Sequence, residues 1–204
     1  GRVGCFSAYP AKNLGAFGDA GFVVTQDAKL AERIGAVRNN GSWKKYYHDL
    51  PGYNARLDSI QAAVLDVKLG HIDRWNAARA KLAARYTRAF SGLDLTLPAV
   101  AGRATHVFHL YIVRTERRDA FAAHLKANGV DTQFYYPLPL HLQKCFKGLG
   151  YRKGDFPVAE KAAVENLALP LFPEMTRAEQ DHVIRTVRSF FAVEARGLRS
   201  RIAP

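Results

Sequence analysis

The sequence predicts an α/β fold made of two parts that a long helical connector joins. Short runs rich in β-branched and aromatic residues alternate with segments of helical periodicity. With 48% hydrophobic and 24% charged residues among 204, the composition is that of a globular chain large enough for a substantial core. One apolar stripe at helical spacing continues for about 30 residues, which is long for a helix inside one compact domain. It comprises Ile60, Val64, Val67, Trp75, Ala78, Leu82, Tyr86 and Phe90.

The first part contains a loop, a strand, a helix and a second loop. Residues 1–19 are rich in Gly, Pro and small residues, which predicts a loop, and residues 21–25 have the composition of a short buried strand. Asp27 has the side chain of a helix N-cap, and the Asn-Asn-Gly sequence at 39–41 predicts the end of that helix. Residues 39–57 lack periodicity and include an aromatic, basic cluster, which is typical of a functional loop.

The second part begins with the connector. Residues 58–61 have the form of a capping box at its N-terminus, and we expect the helix to bend near Gly70. The later elements are a strand at 106–114, a helix at 117–128, a strand at 130–135, a helix at 158–167 and a last helix capped by 176–179. We therefore divide the chain into residues 1–57, a long connecting helix at 58–91 and a smaller αβ domain at 92–204.

The charge balance bears on the partners. Lys and Arg number 30 against 18 Asp and Glu, and the net charge of +12 favours anionic partners such as phosphate esters or nucleotides. The basic residues do not form one block, so a solvated basic surface is the more ordinary interpretation. The sequence has no apolar run long enough to span a bilayer and no signal-peptide pattern at its start, which predicts a cytoplasmic protein with no membrane partner.

The cysteines and histidines give no sign of a metal site. Cys5 and Cys145 lie far apart without metal-ligand spacing, which predicts reduced thiols, and the histidines also lack such spacing. We therefore expect no metal.

Lys12 is the first candidate for chemistry, since it lies in a loop of small residues and glycines that let ligand atoms approach the backbone. A lysine amine is the group that forms Schiff bases with carbonyl compounds. A lone lysine in such a loop is more often a surface residue on a turn. The residues around Lys12 are therefore needed to distinguish a Schiff-base lysine from a surface lysine.

Three segments, taken together, resemble one family. The first is Ser-x-Tyr-Pro-x-Lys-Asn-Leu-Gly at 7–15 followed by Gly-Asp-x-Gly at 18–21. The second is Gly-Tyr-Asn-Ala-Arg-Leu-Asp-Ser-Ile-Gln-Ala-Ala at 52–63, and the third is Tyr-Tyr-Pro-Leu-Pro-Leu-His at 135–141. In this order they are similar to the hallmark segments of the DegT/DnrJ/EryC1/StrS family of sugar aminotransferases, which depend on pyridoxal 5'-phosphate. The resemblance covers residues 1–192.

The resemblance implies the fold and the assembly. The fold would be that of a fold type I, aspartate aminotransferase-like transferase, a homodimer whose active sites are shared between subunits. Residues 1–57 would be the C-terminal part of the large cofactor-binding domain with its interface loop. Family members are about twice as long as this chain, so the resemblance implies a C-terminal portion that starts just before the lysine. We expect that portion to be inactive alone, because the N-terminal half supplies the aspartate that pairs with the cofactor's pyridine nitrogen.

The resemblance also implies roles for individual residues. Lys12 would form the Schiff base with the cofactor and carry protons during catalysis, and Ser7 and Asn54 would bind cofactor phosphate, Asn54 that of the neighbouring subunit. The substrate would contact Tyr9, Arg56, Tyr136 and His141. More ordinary roles remain open, such as turn capping by Ser7, an ion pair of Arg56 with Asp58 or the nearby helix N-terminus, and structural hydrogen bonds for the tyrosines and His141.

The reaction implied is transfer of an amino group from glutamate, which becomes 2-oxoglutarate, to a nucleotide-linked keto sugar, in amino-sugar, polysaccharide or natural-product biosynthesis. The run at 47–58 looks more like members that act on 3-keto than on 4-keto sugars. A dehydrating or regulatory member of the family is one alternative, although the dehydratases replace the lysine with histidine. A basic module that binds nucleic acid, with a vestigial lysine loop, is another, but the sequence has no motif for nucleic-acid recognition.

Overall fold

A computed structural model describes the backbone of residues 1–202 and the side chains of residues 1–192. The chain divides into two compact units, Gly1–Trp75 and Asn76–Pro204. Each unit combines helices with one two-stranded antiparallel sheet, so the described chain is mixed α/β as the sequence predicts.

The first unit contains strands β1 (Gly4–Ser7) and β2 (Gly21–Val24) and helices α1 (Ala28–Arg38) and α2 (Ser59–Leu69). The two strands pair antiparallel with Ser7 opposite Gly21, and the rings of Phe6 and Phe22 stack at 4.9 Å between centroids.

Two features of this sheet differ from the sequence expectation. β1 lies within the segment predicted to be a loop. Its four residues begin with Gly and end with Ser and show no alternation of apolar and polar residues, so the sequence gives no signal for a strand there. The strand β2 is present as predicted, but its four residues are exposed rather than buried in this chain.

Helix α1 begins and ends where its capping residues predict. A carboxylate oxygen of Asp27 accepts a hydrogen bond from the N–H of Leu30 at 3.0 Å, and Asn39 is the C-cap. Arg2 donates to the same carboxylate at 2.7 Å. The Arg2 guanidinium and the N–H of Leu30 hold the pKa of the Asp27 carboxyl below its usual range.

The connector is two helices rather than one bent helix. α2 ends at Leu69, and α3 (Ile72–Phe90) begins two residues after Gly70, the position predicted for the bend. Asp58 caps α2 by accepting from the N–H groups of Ile60 and Gln61. The Gln61 side chain instead accepts a hydrogen bond from another loop, so only half of the predicted capping box forms.

The predicted apolar stripe behaves differently along its two helices. On α2, Ile60 and Val67 are 70% and 69% exposed in this chain, whereas Tyr86 and Phe90 on α3 are fully buried. In this chain the α3 end of the stripe is therefore buried, whereas these α2 positions are exposed.

The second unit consists of the remainder of α3 followed by β3 (Tyr111–Arg114), α4 (Arg118–Ala127), two 3₁₀ segments (Leu140–Leu142 and Lys144–Leu149), α5 (Pro157–Glu165), β4 (Asn166–Leu169) and α6 (Arg177–Ile202). Three predictions for individual elements are wrong here. The first strand starts at Tyr111 rather than at 106, and the strand expected at 130–135 is reduced to one bridge between Gln133 and Ala168. The helix expected to reach 167 ends at Glu165, and the next four residues pair with β3 as β4.

The core of the second unit is built around an aromatic cluster. The ring of Tyr86 lies 5.3 Å from that of Phe90 and 5.2 Å from that of Tyr111, between centroids. The hydroxyl of Tyr86 donates to the carbonyl oxygen of Pro170 at 3.0 Å, and burial raises the pKa of this hydroxyl far above its usual value. The sheet and helices α4 and α6 complete the core with Val113, Phe121, Leu125, Leu167, Leu169, Val183 and Val187.

A buried cation joins this core to the segments beside the sheet. Arg79 on α3 is 9% exposed, and its Nη1 donates to the carbonyl oxygens of Phe108, His109 and Leu171 at 3.3, 3.2 and 2.9 Å. Because buried carbonyl groups need hydrogen-bond donors, Arg79 fixes the chain before β3 and after β4 against α3.

Helix α6 starts at the predicted capping box. The N–H of Glu179 donates to the hydroxyl of Thr176 at 3.3 Å, and the Glu179 carboxylate accepts from the N–H of Thr176 at 2.7 Å. Over the described residues, no helix combines the length and apolarity that a membrane crossing requires. The cytoplasmic location stays a prediction.

The core predicts the effect of one substitution. Leu167→Ala removes a fully buried side chain opposite Val113 of β3, so the free energy of unfolding should fall by about 2–5 kcal/mol. Val158→Ala, at a position that is 78% exposed on α5, is the matched control and should change it by less than about 0.5 kcal/mol. Urea unfolding followed by circular dichroism measures both, and equal effects would contradict the described core.

Candidate active site

The predicted Schiff-base lysine lies in the loop between β1 and β2, which we call the lysine loop (residues 8–20). Backbone hydrogen bonds fold this loop back on itself, since Ala8 donates to Ala20 O and Ala16 donates to Ala8 O, both at 2.9 Å. Lys12 N–H donates to Tyr9 O at 2.8 Å, so the lysine follows a tight turn. Its side chain is partly exposed.

Helix α2 anchors the far side of the lysine loop. Gln61 Oε1 accepts from Phe17 N–H at 2.8 Å, and Lys68 Nζ donates to the carbonyl oxygen of Gly15. Lys68 Nζ also lies 5.4 Å from the centroid of the Phe17 ring. A Cβ on Gly15 would lie 2.3 Å from the carbonyl oxygen of Pro10, so only glycine permits this approach. Sequence reasoning did not identify Gln61 and Lys68, because nothing local marks them as partners of a distant loop.

Ser7, Tyr9 and Lys12 are all in or next to this loop, as the sequence predicts. The Ser7 hydroxyl accepts from the N–H of Tyr9 at 3.4 Å, which is the turn-capping role that its sequence position also allowed. Accepting that bond leaves the hydroxyl hydrogen available to a ligand. Tyr9 is 54% exposed, so its side chain is accessible in this chain.

Asn54 and Arg56 lie in the segment that runs beside the end of α1. Asn54 forms an isolated β-bridge with Asn39, and Tyr53 N–H donates to Val37 O at 2.7 Å. Arg56 Nη1 donates to the Asn39 side-chain oxygen at 3.3 Å, and no described contact pairs it with Asp58. The planar guanidinium is therefore held beside Asn54 by an uncharged partner.

The loop between α1 and Asn54 is closed by two glycines. Gly41 has φ +76°, and a Cβ there would lie 1.6 Å from the carbonyl oxygen of Leu50. A Cβ on Gly52 would lie 2.1 Å from the backbone nitrogen of Gly41. This contact closes the base of a loop that carries the exposed aromatic and basic residues Trp43, Lys44, Lys45, Tyr46, Tyr47 and His48.

Tyr136 and His141 belong to the second unit, where both line a cleft of about 770 Å³. Tyr136 is 68% exposed, whereas the His141 side chain is 8% exposed. Ala159, Ala162 and Ala163 of α5 and Ile112 of β3 also line this cleft. We call this space the α5 cleft.

Glu160 is the hydrogen-bond partner of His141. One carboxylate oxygen lies 3.0 Å from His141 Nε2 and accepts from the N–H groups of Gly154 and Phe156 at 2.8 and 3.4 Å. The Gly154 N–H and the His141 ring hold the pKa of Glu160 below its usual range. The ring of Phe156 packs edge-on against His141 at 4.8 Å.

Asn166 lies at the other end of α5. Its side-chain oxygen accepts from Tyr135 N–H at 2.7 Å, and its amide donates to Tyr136 O at 3.2 Å and to Ala162 O at 2.9 Å. Asn166 is 4% exposed and is the C-cap of α5. Glu160 and Asn166 escaped sequence reasoning, although Glu160 in the first turn of a helix and Asn166 just after its end are positions where polar side chains contact backbone.

No metal site accompanies these residues in the described part of the chain, where no group of three or more His, Cys, Asp or Glu could hold an ion. Cys5 and Cys145 are both free and exposed.

The donor set fits a cofactor that combines an aldehyde with a phosphate. Lys12 supplies a partly exposed amine on a loop whose backbone is fixed at both sides, and Ser7 supplies a hydroxyl at the start of that loop. Amines react with aldehydes, and hydroxyl groups with an available hydrogen donate to phosphate oxygens. The close packing of Gly15 on Pro10 shows that the loop cannot accept bulk there without moving.

Comparison with known proteins defines the class. The crystal structure of S. venezuelae DesV in complex with a ketimine intermediate matches with a TM-score of 0.89 and 47% identity, over 93% of this chain and 52% of DesV. Together with the lysine loop, this match shows the fold type I architecture of transferases that use pyridoxal phosphate. The predicted fold class is confirmed.

The chain belongs to the DegT/DnrJ/EryC1/StrS aminotransferase family, which it matches over residues 1–188. The pleiotropic regulatory protein of Geobacillus stearothermophilus is 49% identical over 94% of this chain and 52% of its own length. The dTDP-3-amino-3,4,6-trideoxy-alpha-D-glucose transaminase of Streptomyces venezuelae is 47% identical over 92% of this chain and 50% of its own length. The chain thus spans about half the length of the curated relatives it matches. The family recognised from three motifs is confirmed, and pyridoxal phosphate is the cofactor of this family.

Two glycine substitutions in the first unit, one in the lysine loop and one in α1, should have opposite effects on stability. Gly15→Ala should lower the free energy of unfolding by about 1–3 kcal/mol, because the new methyl group collides with the Pro10 carbonyl. Gly35→Ala, in α1 with no atom within 4 Å of the added Cβ, should raise it by about 0.5–1 kcal/mol. Urea unfolding measures the stability change, and hydrogen exchange at Ala8 and Ala16 localises it. Faster exchange in both variants would argue against the described loop.

Proposed function

We propose that the protein is an aminotransferase that uses pyridoxal phosphate and moves an amino group from glutamate to a nucleotide-linked keto sugar. The observation that carries the proposal is the lysine loop, in which Lys12 follows a turn that β1, β2 and α2 hold in place. Membership of an aminotransferase family supports it. The donor glutamate leaves as 2-oxoglutarate.

Pyridoxal phosphate, when bound, supplies the carbonyl that exchanges amino groups and withdraws electrons from the reacting carbon. The ε-amine of Lys12 holds this group between turnovers. Once freed by an incoming amine, the ε-amine of Lys12 would accept the proton that leaves the donor's α-carbon and would hold it for return. In the second half of the reaction the same amine moves a proton in the opposite direction.

The other residues bind and orient the cofactor and the substrates. Ser7 donates its hydroxyl hydrogen to the cofactor phosphate, and the exposed Asn54 reaches the phosphate held by the neighbouring subunit of a homodimer. Arg56 receives a carboxylate or phosphate of a substrate, because its planar fork matches two anionic oxygens. Tyr9, Tyr136 and His141 contact the sugar or its pyrophosphate. The net charge of +12 favours a substrate of this kind.

The acceptor is a 3-keto sugar. Two observations support this choice over a 4-keto sugar: the Tyr47–Asp58 run, which resembles members acting at C3, and the name of the Streptomyces venezuelae relative, whose product carries its amino group at C3.

The first test is chemical and targets Lys12 in the protein expressed from its complete reading frame. Incubation with pyridoxal phosphate followed by borohydride reduction should leave one phosphopyridoxyl group on Lys12, found by intact mass and peptide mapping. Lys12→Arg should lose that adduct and lower kcat by about 10²–10⁴-fold, since it removes the proton carrier. Lys29→Arg, at an exposed lysine on α1, is the control and should keep both properties.

Adducts scattered over surface lysines would count against the aminotransferase. Salt-sensitive binding to DNA or RNA in the same preparation would instead favour the nucleic-acid alternative.

The second test concerns the carbon that receives the amino group. Initial rates with matched nucleotide-linked 3-keto and 4-keto sugars should differ by about 10²-fold in kcat/KM, because a carbonyl displaced by one ring position no longer meets the reactive amine. Equal rates, or a preference for the 4-keto sugar, would overturn the C3 assignment while leaving the aminotransferase in place.

A further inference from the structure

We propose that Glu160 and Asn166, at opposite ends of α5, are positioning residues that hold the Tyr135–His141 segment as the acceptor-sugar wall of the α5 cleft. This inference rests on the proposed function. It assigns roles to two side chains that no sequence motif singled out.

The Glu160 end fixes His141. A single carboxylate oxygen receives the His141 ring nitrogen and the backbone N–H groups of Gly154 and Phe156. Three hydrogen bonds to one oxygen join the end of the Tyr135–His141 segment, the 150–156 loop and the first turn of α5. The His141 and Phe156 rings also pack edge to face, so both the position and the orientation of the imidazole are set.

The Asn166 end fixes Tyr136. Its oxygen and its amide bind the backbone on both sides of Tyr135, through Tyr135 N–H and Tyr136 O. The same amide reaches the carbonyl groups of Ala162 and Ala163 in the last turn of α5, at 2.9 and 3.1 Å. Asn166 therefore uses its whole side chain to tie the Tyr135–Tyr136 backbone to α5.

The residues between these two ends have few other ways to be held. Pro137 and Pro139 have no N–H group, so neither can donate a backbone hydrogen bond. The side chain of Tyr136 stays 68% exposed although its backbone is tied down. A fixed backbone that presents an exposed tyrosine is the arrangement that ligand contact requires.

The side chains that α5 contributes to the cleft are small. The α5 cleft has a volume of about 770 Å³, is open to solvent and is lined on α5 by Ala159, Ala162 and Ala163. Helix α5 therefore holds the segment through Glu160 and Asn166 and lines the cleft with alanine side chains. Small side chains take up little of the cleft and leave room for a sugar beside the anchored segment.

The kinetic test uses the enzyme expressed from its complete reading frame, with the two half-reactions measured separately. Glu160→Ala should raise KM for the nucleotide-linked 3-keto sugar by about 10-fold, while kcat/KM for glutamate stays within about 2-fold. Glu160→Gln keeps an acceptor oxygen and should recover to within about 3-fold of wild type. Asn166→Ala should act in the same direction as Glu160→Ala. Glu116→Ala, at a glutamate that is 84% exposed, is the matched control and should leave both constants unchanged.

A merely structural role predicts a different pattern. Loss of the glutamate half-reaction and of the sugar half-reaction in equal measure, or no change in either, would overturn the proposal. The proposal also fails if Glu160→Gln behaves like Glu160→Ala, since the acceptor oxygen would then be irrelevant.

A second measurement separates this proposal from the proposed function. Hydrogen exchange should be at least about 10-fold faster at Gly154 and Phe156 in Glu160→Ala and at Tyr135 in Asn166→Ala, whether or not the enzyme transfers amino groups. Unchanged exchange would refute the positioning role even if the wild type is an active aminotransferase. A wild type that fails to react with glutamate, with exchange altered as expected, would refute the acceptor-site role and the proposed function but not the hydrogen bonds themselves.

Discussion

The contact of Gly15 with the carbonyl of Pro10 is the constraint on which the candidate active site depends. It turns the lysine loop back toward its own start, where Ala8 can bond both Ala16 and Ala20. Helix α2 then holds the loop from outside through Lys68 and Gln61. Lys12 has no helix or strand of its own, so its placement comes entirely from these contacts. A reactive amine needs such fixed surroundings, because misplacement by about 1 Å is enough to slow a reaction strongly.

Local chemistry explains what the sequence could predict of the fold. Asp27, Asp58 and Thr176 cap helices because their side chains bond N–H groups two or three residues ahead, and such signals are visible in a short window. The strands β1 and β4 have four residues each, and their pairing is set by partners distant in sequence. Asn166 illustrates why such strands are hard to predict. The helical pattern of the sequence extends to residue 167, but Asn166 pairs with Arg114 of β3 as the first residue of β4.

The candidate site likewise contains segments that the sequence predicts and supporting residues that it does not. The three motifs identified the lysine loop, the Asn54 segment and the Tyr136–His141 segment, because each is contiguous in sequence. The residues that hold these segments were missed because each holds its partner across a long separation, 53 residues for Lys68 and Gly15 and 19 for Glu160 and His141. A single sequence shows residue types and their spacing. It does not show which distant backbone group a common Glu, Asn or Lys contacts in the folded chain.

The alanine face of α5 has a consequence for how the proposed enzyme would change its substrate. Ala159 and Ala162 make no side-chain hydrogen bond, so their replacement by larger residues reshapes the cleft without touching Glu160 or Asn166. In the proposed enzyme, such replacements would alter the size and polarity of the acceptor site one residue at a time, while the anchored segment keeps its geometry. Changes of acceptor would then be separated from the hydrogen bonds that hold the segment.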